Sequence, residues 1–288
     1  MLRTRIITAV ALLAGLLAAL FFLPPLLWAT FCALICALAA WEWGGLAGWG
    51  RKARVGYGIA LGCLCLVGCL RFVPGLFHGS SGFSQQALPG ALSLLFLFAG
   101  LFWLLIVPFW LWRKWPLRNW SAALTGVIVL VPPMLIFIGL RLAQGPLMLL
   151  AVCALVWVAD IAAYFSGRTF GGKKLAPGIS PGKTWAGVIG AVVGVLVYGN
   201  VILFTWGSGK IFGFEIQNIL LLQFIFIGLG AVSIIGDLFE SLLKRQAGVK
   251  DSSNLLPGHG GILDRVDSLT STLALIGFMN LVSLFLFS

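Results

Sequence analysis

The sequence predicts an all-α fold, a polytopic integral membrane bundle of about nine transmembrane helices, and three observations predict it. Mean hydropathy over the 288 residues is +1.07, with 60% hydrophobic and 9% charged residues. That leaves too little polar surface for a water-soluble domain of this length. Apolar runs of about 20 residues recur along the whole chain, each able to cross a hydrocarbon core. Lipid cannot hydrogen-bond exposed N–H and C=O groups, so such runs are helical, and the ~10-residue alternation of a membrane barrel is absent. Finally, the Lys and Arg residues cluster in every second segment between runs.

The runs fall at roughly 5–23, 25–46, 54–77, 89–113, 119–142, 146–166, 184–206, 216–241 and 268–287. The first follows Arg3 and Arg5 like a signal peptide, but it is long for one. A second run follows at once after Pro24-Pro25, so a signal anchor is expected. Pro108, Pro132 and Pro133 are expected to kink their helices, which membranes tolerate. With a cytoplasmic N-terminus, the inside segments carry Arg3 and Arg5; Arg51, Lys52 and Arg54; Arg113, Lys114 and Arg118; Arg168, Lys173, Lys174 and Lys183; and Lys244, Arg245, Lys250 and Arg265. The outside segments carry only Arg71, Arg141 and Lys210. This is the positive-inside pattern for an odd number of spans with the C-terminus outside. The net charge of +11 is therefore largely topological and lipid-directed rather than a nucleic-acid footprint. The six cysteines (Cys32, Cys36, Cys63, Cys65, Cys69, Cys153) fall inside runs without zinc spacing and read as inert buried thiols.

The two halves differ. Residues 1–145 hold about five plain spans with short basic loops and an uncharged polar outside loop at 80–88. Glu42, between Trp41 and Trp43, reads there as an interfacial anchor. Residues 146–288 hold about four spans and carry seven of the eight acids, all but Glu42; six of them, Asp160, Asp237, Glu240, Asp251, Asp264 and Asp267, form the group of interest, with Glu215 left out of it. The cytoplasmic loops 167–183 and 242–267 are the longest inside segments and are rich in Gly, Lys and Ser. This half is expected to be catalytic.

Four constellations suggest chemistry. Asp160 lies in an otherwise apolar span, where a carboxylate needs a partner or a wet cavity; Tyr164 shares its face and Arg168 follows. Gly171-Gly-Lys-Lys-Leu-Ala-Pro-Gly-Ile-Ser-Pro-Gly-Lys-Thr184 combines glycines, lysines and hydroxyls ahead of the seventh span, suiting phosphate oxygens. It is not a P-loop: Pro177 stands where GxxxxGK[ST] needs its first glycine, and no βαβ unit surrounds it. On a helix, Asp237, Ser241 and Lys244 line one stripe, with Glu240 beside it. Finally, Leu256-Pro-Gly-His-Gly-Gly-Ile-Leu-Asp-Arg-Val-Asp-Ser268 concentrates charge in a chain that otherwise avoids it. Its glycines permit sharp turns and close approach. Asp264 and Asp267, three apart with Arg265 between, suit a hard cation such as Mg²⁺ that shares substrate phosphates. A generic charged loop or carboxylate–lysine pairs within the fold are the bland readings of the same residues.

Ser241-Leu-Leu-Lys-Arg245, Lys250-Asp251 and the stretch 256–267 together resemble the signature of the phosphatidate cytidylyltransferase family, also called CDP-diacylglycerol synthases. Asp160-Ile-Ala-Ala-Tyr-Phe-Ser-Gly-Arg168 and Ser180-Pro-Gly-Lys-Thr184 are similar to other blocks of that family. The resemblance covers about 155–268, and the first half matches in hydropathy alone. Ala186 stands where an acidic or amide residue is usual, and no role attaches to it. The resemblance implies transfer from CTP to phosphatidate, giving CDP-diacylglycerol and pyrophosphate, with one Mg²⁺ ion or two. It implies catalytic roles for Asp237, Lys244, Asp264 and Asp267. Asp237 and Asp264 would be metal ligands, with Asp267 a ligand or a ligand's partner. Ser180, Lys183, Thr184, Ser241, Arg245, His259, Arg265 and Asp160 would contact substrate or phosphate. The partners expected are CTP, phosphatidate and membrane lipid, without nucleic acid, and a homodimer is open to such a chain. The active site is expected on the cytoplasmic side of the inner membrane. A polyprenol- or phytol-kinase-like lipid phosphotransferase is the alternative. A transporter is a weaker one, since the charge sits at helix ends and no inverted repeat is visible.

Overall fold

The computed structural model describes residues 2–72, 90–206, 210–211, 214–215 and 219–287; the polar loop expected at 80–88 lies outside them. The helices are α1 (Leu2–Phe22), α2 (Pro25–Leu46), α3 (Arg51–Phe72), α4 (Gly90–Leu101), α5 (Val107–Arg113), α6 (Asn119–Gln144), α7 (Pro146–Phe170), α8 (Trp185–Trp206), α9 (Ile219–Gln246) and α10 (Leu263–Phe287). A π-helical turn, Phe102–Ile106, joins α4 to α5 and ends two residues before Pro108. Pro132 and Pro133 lie inside α6, which continues through them.

Among the described residues, eight helices are long and apolar enough to cross a membrane, counting Leu92–Arg113 as one, and Ile6–Phe22 forms a shorter apolar helix. Large apolar side chains such as Phe22, Trp120, Phe204 and Leu220 are exposed on the protein surface, as suits helices solvated by lipid. Five cysteines are buried and Cys63 is exposed, a correction to its expected burial.

The all-α expectation needs a small addition. Lys174–Ala176 (β1) pairs antiparallel with Ser180–Thr184 (β2), and Lys210–Ile211 (β3) with Phe214–Glu215 (β4). Helix ends also differ from the apolar runs: α7 extends to Phe170, α9 to Gln246, and α10 begins at Leu263. Hydropathy detects only the apolar part of a helix, so polar final turns look like loop. Lys244, Arg245, Asp264 and Asp267 are therefore helical, and the connection between α9 and α10 shortens to 247–262.

The chain forms two compact units that run across the division at 145/146. One comprises residues 1–92, 116–149 and 243–267, the other 93–115, 150–242 and 268–288. In the first, α2, α3 and α6 pack together. Close approach of α2 and α3 depends on small residues, as in many membrane helix pairs. A Cβ on Gly58 would lie 2.7 Å from the Ala37 carbonyl oxygen, and one on Gly62 would lie 3.1 Å from that of Ala33 and 2.9 Å from the Ala37 Cβ. Trp43 Nε1 donates to the Ala122 carbonyl at 2.9 Å, and the Tyr57 hydroxyl donates to that of Ala123 at 2.6 Å, tying α2 and α3 to the first turns of α6. Arg141 donates through Nε to the Leu20 carbonyl at 2.7 Å and through Nη2 to that of Leu23, satisfying orphan acceptors at the end of α1.

Gly62→Leu is expected to overpack the α2–α3 contact by about 1–3 kcal/mol. Thermal unfolding in detergent should show an earlier transition than the native chain.

The second unit uses the same device. A Cβ on Gly187 would lie 2.9 Å from the Ala163 carbonyl oxygen, one on Gly190 2.9 Å from that of Ala162, and one on Gly194 2.7 Å from the Ala162 Cβ. The glycine face of α8 thus lies close against α7. A Cβ on Gly167 would lie 2.9 Å from Thr184 Oγ1, so the end of α7 is held against the start of α8.

Candidate active site

In the second unit, α9 and the β1–β2 hairpin bring Asp237 and Lys183 together. Gly171 and Gly172, both at positive φ (59° and 85°), turn the chain out of α7. The hairpin closes with Ile179 N–H donating to the Ala176 carbonyl and Trp185 N–H donating to that of Lys173, both at 3.0 Å. Lys183, on β2, places Nζ 2.8 Å from Asp237 Oδ2; their side chains are 23% and 32% exposed. Nζ also donates to the Ile234 carbonyl at 3.4 Å, while Ser241 Oγ donates to Asp237 Oδ1 at 3.2 Å. The Asp237–Ser241 half of the expected stripe is thus present. Asp160 interacts electrostatically with both Asp237 and Lys183. Arg168 donates to the Tyr164 hydroxyl at 2.8 Å.

Two residues of that hairpin have different fates. Ser180 is half-buried on β2. Thr184, expected to contact phosphate, is buried, and its Oγ1 accepts the Gly187 N–H at 3.1 Å. It caps the first turn of α8.

In the first unit, the connection 247–262 folds over the start of α10. Gly258 and Gly260 adopt positive φ (77° and 80°), which a side chain would oppose. Leu256 N–H donates to the Gly260 carbonyl and His259 N–H to that of Leu256, each at 2.8 Å. Asp264, in the first turn of α10, is enclosed by donors. Lys244 Nζ lies 2.6 Å from Oδ1, while Ser252 N–H, Ser252 Oγ and Gly261 N–H reach Oδ2 at 2.8, 2.8 and 2.7 Å. The Lys244 and Asp264 side chains are 13% and 4% exposed. His259 has an enclosed Nδ1 without a hydrogen-bond partner. Arg245 and Arg265 are exposed, and Asp267 is half-buried.

Glu42 is the residue that the sequence reading misplaced. It is not an interfacial anchor: it is fully buried. Its Oε1 accepts from Ser253 Oγ at 2.6 Å and Ile262 N–H at 3.0 Å, and its Oε2 accepts from Leu263 N–H at 2.7 Å and Ser252 Oγ at 3.1 Å. The signal was present in the sequence, since an acid within an apolar helix is functional by default; the flanking tryptophans explained it away. Ser252 and Ser253, also unassigned from sequence, are its ligands.

Among the described residues the structure thus shows the lysine–carboxylate pair Lys183–Asp237 in one unit and Lys244–Asp264 in the other. Each lysine can serve a phosphate and each carboxylate a cation. Among the described residues, no three His, Cys, Asp or Glu side chains gather as a metal cage. The donors at the two pairs are carboxylate and hydroxyl oxygens, which suit Mg²⁺ rather than zinc. Mg²⁺ keeps water and draws on substrate phosphates, so one or two protein carboxylates suffice.

Comparison with known proteins settles the class. The profile described as "Cytidylyltransferase family" matches residues 3–284. A phosphatidate cytidylyltransferase of Pseudomonas aeruginosa is 38% identical over 284 residues, covering 95% of this chain and 94% of the relative. The chain belongs to the phosphatidate cytidylyltransferase family. One from Haemophilus influenzae is 34% identical over 289 residues, covering 96% and 98%. One from Brucella suis is 48% identical over 123 residues, 43% of each chain. The family resemblance read at 155–268 thus extends over nearly the whole sequence, including the half in which Glu42 lies. The protein is an integral membrane nucleotidyltransferase.

Proposed function

We propose that the chain condenses CTP with phosphatidate to give CDP-diacylglycerol and pyrophosphate at the cytoplasmic face of the inner membrane. The observation that carries this is the Lys183–Asp237 pair, 2.8 Å apart and partly exposed, beside Ser241 and Asp160. It presents an ammonium to phosphate and a carboxylate to a cation from neighbouring atoms. An oxygen of the phosphatidate phosphate attacks the α-phosphorus of CTP. The new P–O bond forms as the α–β bridging P–O bond breaks, and the electron pair leaves with pyrophosphate. A phosphomonoester with a second pKa of about 6 is largely ionised near neutral pH, so no side chain has to remove a proton. Catalysis is then positioning and charge neutralisation. Lys183, Lys244, Arg245 and Arg265 hold phosphate oxygens, and His259 binds phosphate rather than taking a proton. Asp237 and Asp264 are the carboxylates for one or two Mg²⁺ ions, with Asp267 supporting. When bound, Mg²⁺ neutralises triphosphate charge and orients the α-phosphoryl group.

The test uses detergent-purified chain, phosphatidate, Mg²⁺ and CTP labelled at either the α- or the γ-phosphorus. Nucleotidyl transfer puts the α-label into lipid and the γ-label into pyrophosphate; a lipid kinase puts the γ-label into lipid. The first pattern is expected. Lys183→Ala is expected to lower kcat/KM for CTP about tenfold or more, or ~1.4 kcal/mol; unchanged kinetics would reduce Lys183 to a topology signal.

The same reading gives a cytoplasmic N-terminus and an outside C-terminus, supported by the Lys/Arg alternation. A reporter fused after Ser288 should report outside, and one inserted within 170–180 inside. Both on one side would remove the odd span count.

A further inference from the structure

Glu42 lies in the half of the chain without the family's motif residues, and four donors surround its carboxylate: two backbone N–H groups at the start of α10 and the hydroxyls of Ser252 and Ser253. Among the described residues no lysine or arginine pairs with it. A fully buried carboxylate without a cation is costly. Part of that cost is offset because Ile262 and Leu263 offer N–H groups that the first turn of α10 leaves without helical partners. Space is also reserved for it: a Cβ on Gly261 would lie 2.5 Å from Glu42 Oε1 and would collide with Ser252 Oγ.

The same cluster fixes Asp264. Ser252 Oγ lies 3.1 Å from Glu42 Oε2 and 2.8 Å from Asp264 Oδ2. It has a single hydrogen, which the two carboxylates share. The Ser252 N–H and the Gly261 N–H complete the grip on Oδ2. Oδ1 is thereby left to Lys244. Helix α2 thus holds the 252–263 backbone, and that backbone sets the rotamer of Asp264.

We propose that Glu42 is a positioning residue for the transfer reaction: it clamps the loop between α9 and α10 so that Asp264 presents one oxygen to Lys244 and its ligands in a single geometry. This rests on the reading that Asp264 and Lys244 serve the reaction. It assigns a role in turnover to a residue that touches neither substrate.

The test is Glu42→Gln in the full chain. The amide keeps the size but replaces an acceptor with an NH₂ group. Each carboxylate oxygen of Glu42 faces one backbone N–H, so either amide orientation sets donor against donor. Activity is measured per folded molecule with α-labelled CTP, together with KM for CTP and hydrogen exchange of the 250–263 amides. Expected are a fall in kcat of tenfold or more, a KM for CTP within threefold of the native value, and faster exchange in that segment. A role limited to holding the fold lowers the folded fraction but leaves kcat per folded molecule unchanged. A fall below tenfold therefore overturns the proposal, as does a loss confined to KM. If Glu42→Gln does not fold, Ser252→Ala decides, because it removes the shared hydroxyl and leaves the Glu42 carboxylate with three donors. A fall in kcat of threefold or more supports the relay, and a smaller one ends it. Native chain that transfers no α-label sinks the functional reading; active native chain with equally active variants sinks only the role of Glu42.

Discussion

Asp237→Asn is expected to lower kcat by orders of magnitude while leaving the thermal transition in detergent nearly unchanged. The Lys183–Asp237 pair is partly exposed, at 23% and 32%, and pairs of this kind contribute about 0–1 kcal/mol. The amide retains an oxygen that accepts from Ser241 or Lys183, so little of the fold depends on the charge. The reaction does: a cation bound mostly by substrate and water loses much of its protein affinity when one carboxylate becomes neutral. The Mg²⁺ concentration for half-maximal rate should therefore rise. A variant with reduced rate but native Mg²⁺ dependence would show that Asp237 orients Lys183 instead of holding metal.

Asp264→Asn should have the larger total effect, because it damages fold and reaction together. Its carboxylate is 4% exposed and accepts from Lys244, from Ser252 twice and from Gly261. An amide must turn its NH₂ group toward either the ammonium or the two backbone N–H groups. Removing one partner of a buried pair costs about 3–5 kcal/mol. Early melting is therefore expected alongside a loss of activity by orders of magnitude. The two effects separate when rates are normalised to folded molecules and measured against Mg²⁺ concentration. If the folded fraction has native Mg²⁺ dependence, Asp264 holds helices together and is not a metal ligand. Asp237→Asn is the control, since its loss should appear without melting.

The membrane architecture was legible because its cause is local. Any run of about 20 apolar residues must be helical in lipid, whatever its neighbours, and α2, α6 and α8 begin or end within a few residues of the apolar runs. The motif residues were legible because charge is costly in such a chain, so Asp160, Asp237 and Asp264 stood out one by one. Their partners were not legible. Helical spacing aligned Lys244 with Asp237, yet Lys244 reaches Asp264, twenty residues on, and Asp237 takes Lys183 from the hairpin. Periodicity specifies which residues share a face of one helix and says nothing about what another segment brings to that face. Glu42 shows the limit most plainly. From sequence it was one acid between two tryptophans, compatible with a headgroup. Its burial and its four donors from 252, 253, 262 and 263 exist only once α2 packs beside the start of α10. By itself the sequence determined the helices, the membrane and the residues able to do chemistry. Tertiary packing alone decided which lysine neutralises which carboxylate and which buried acid holds the loop in place, because those contacts join residues up to 221 positions apart.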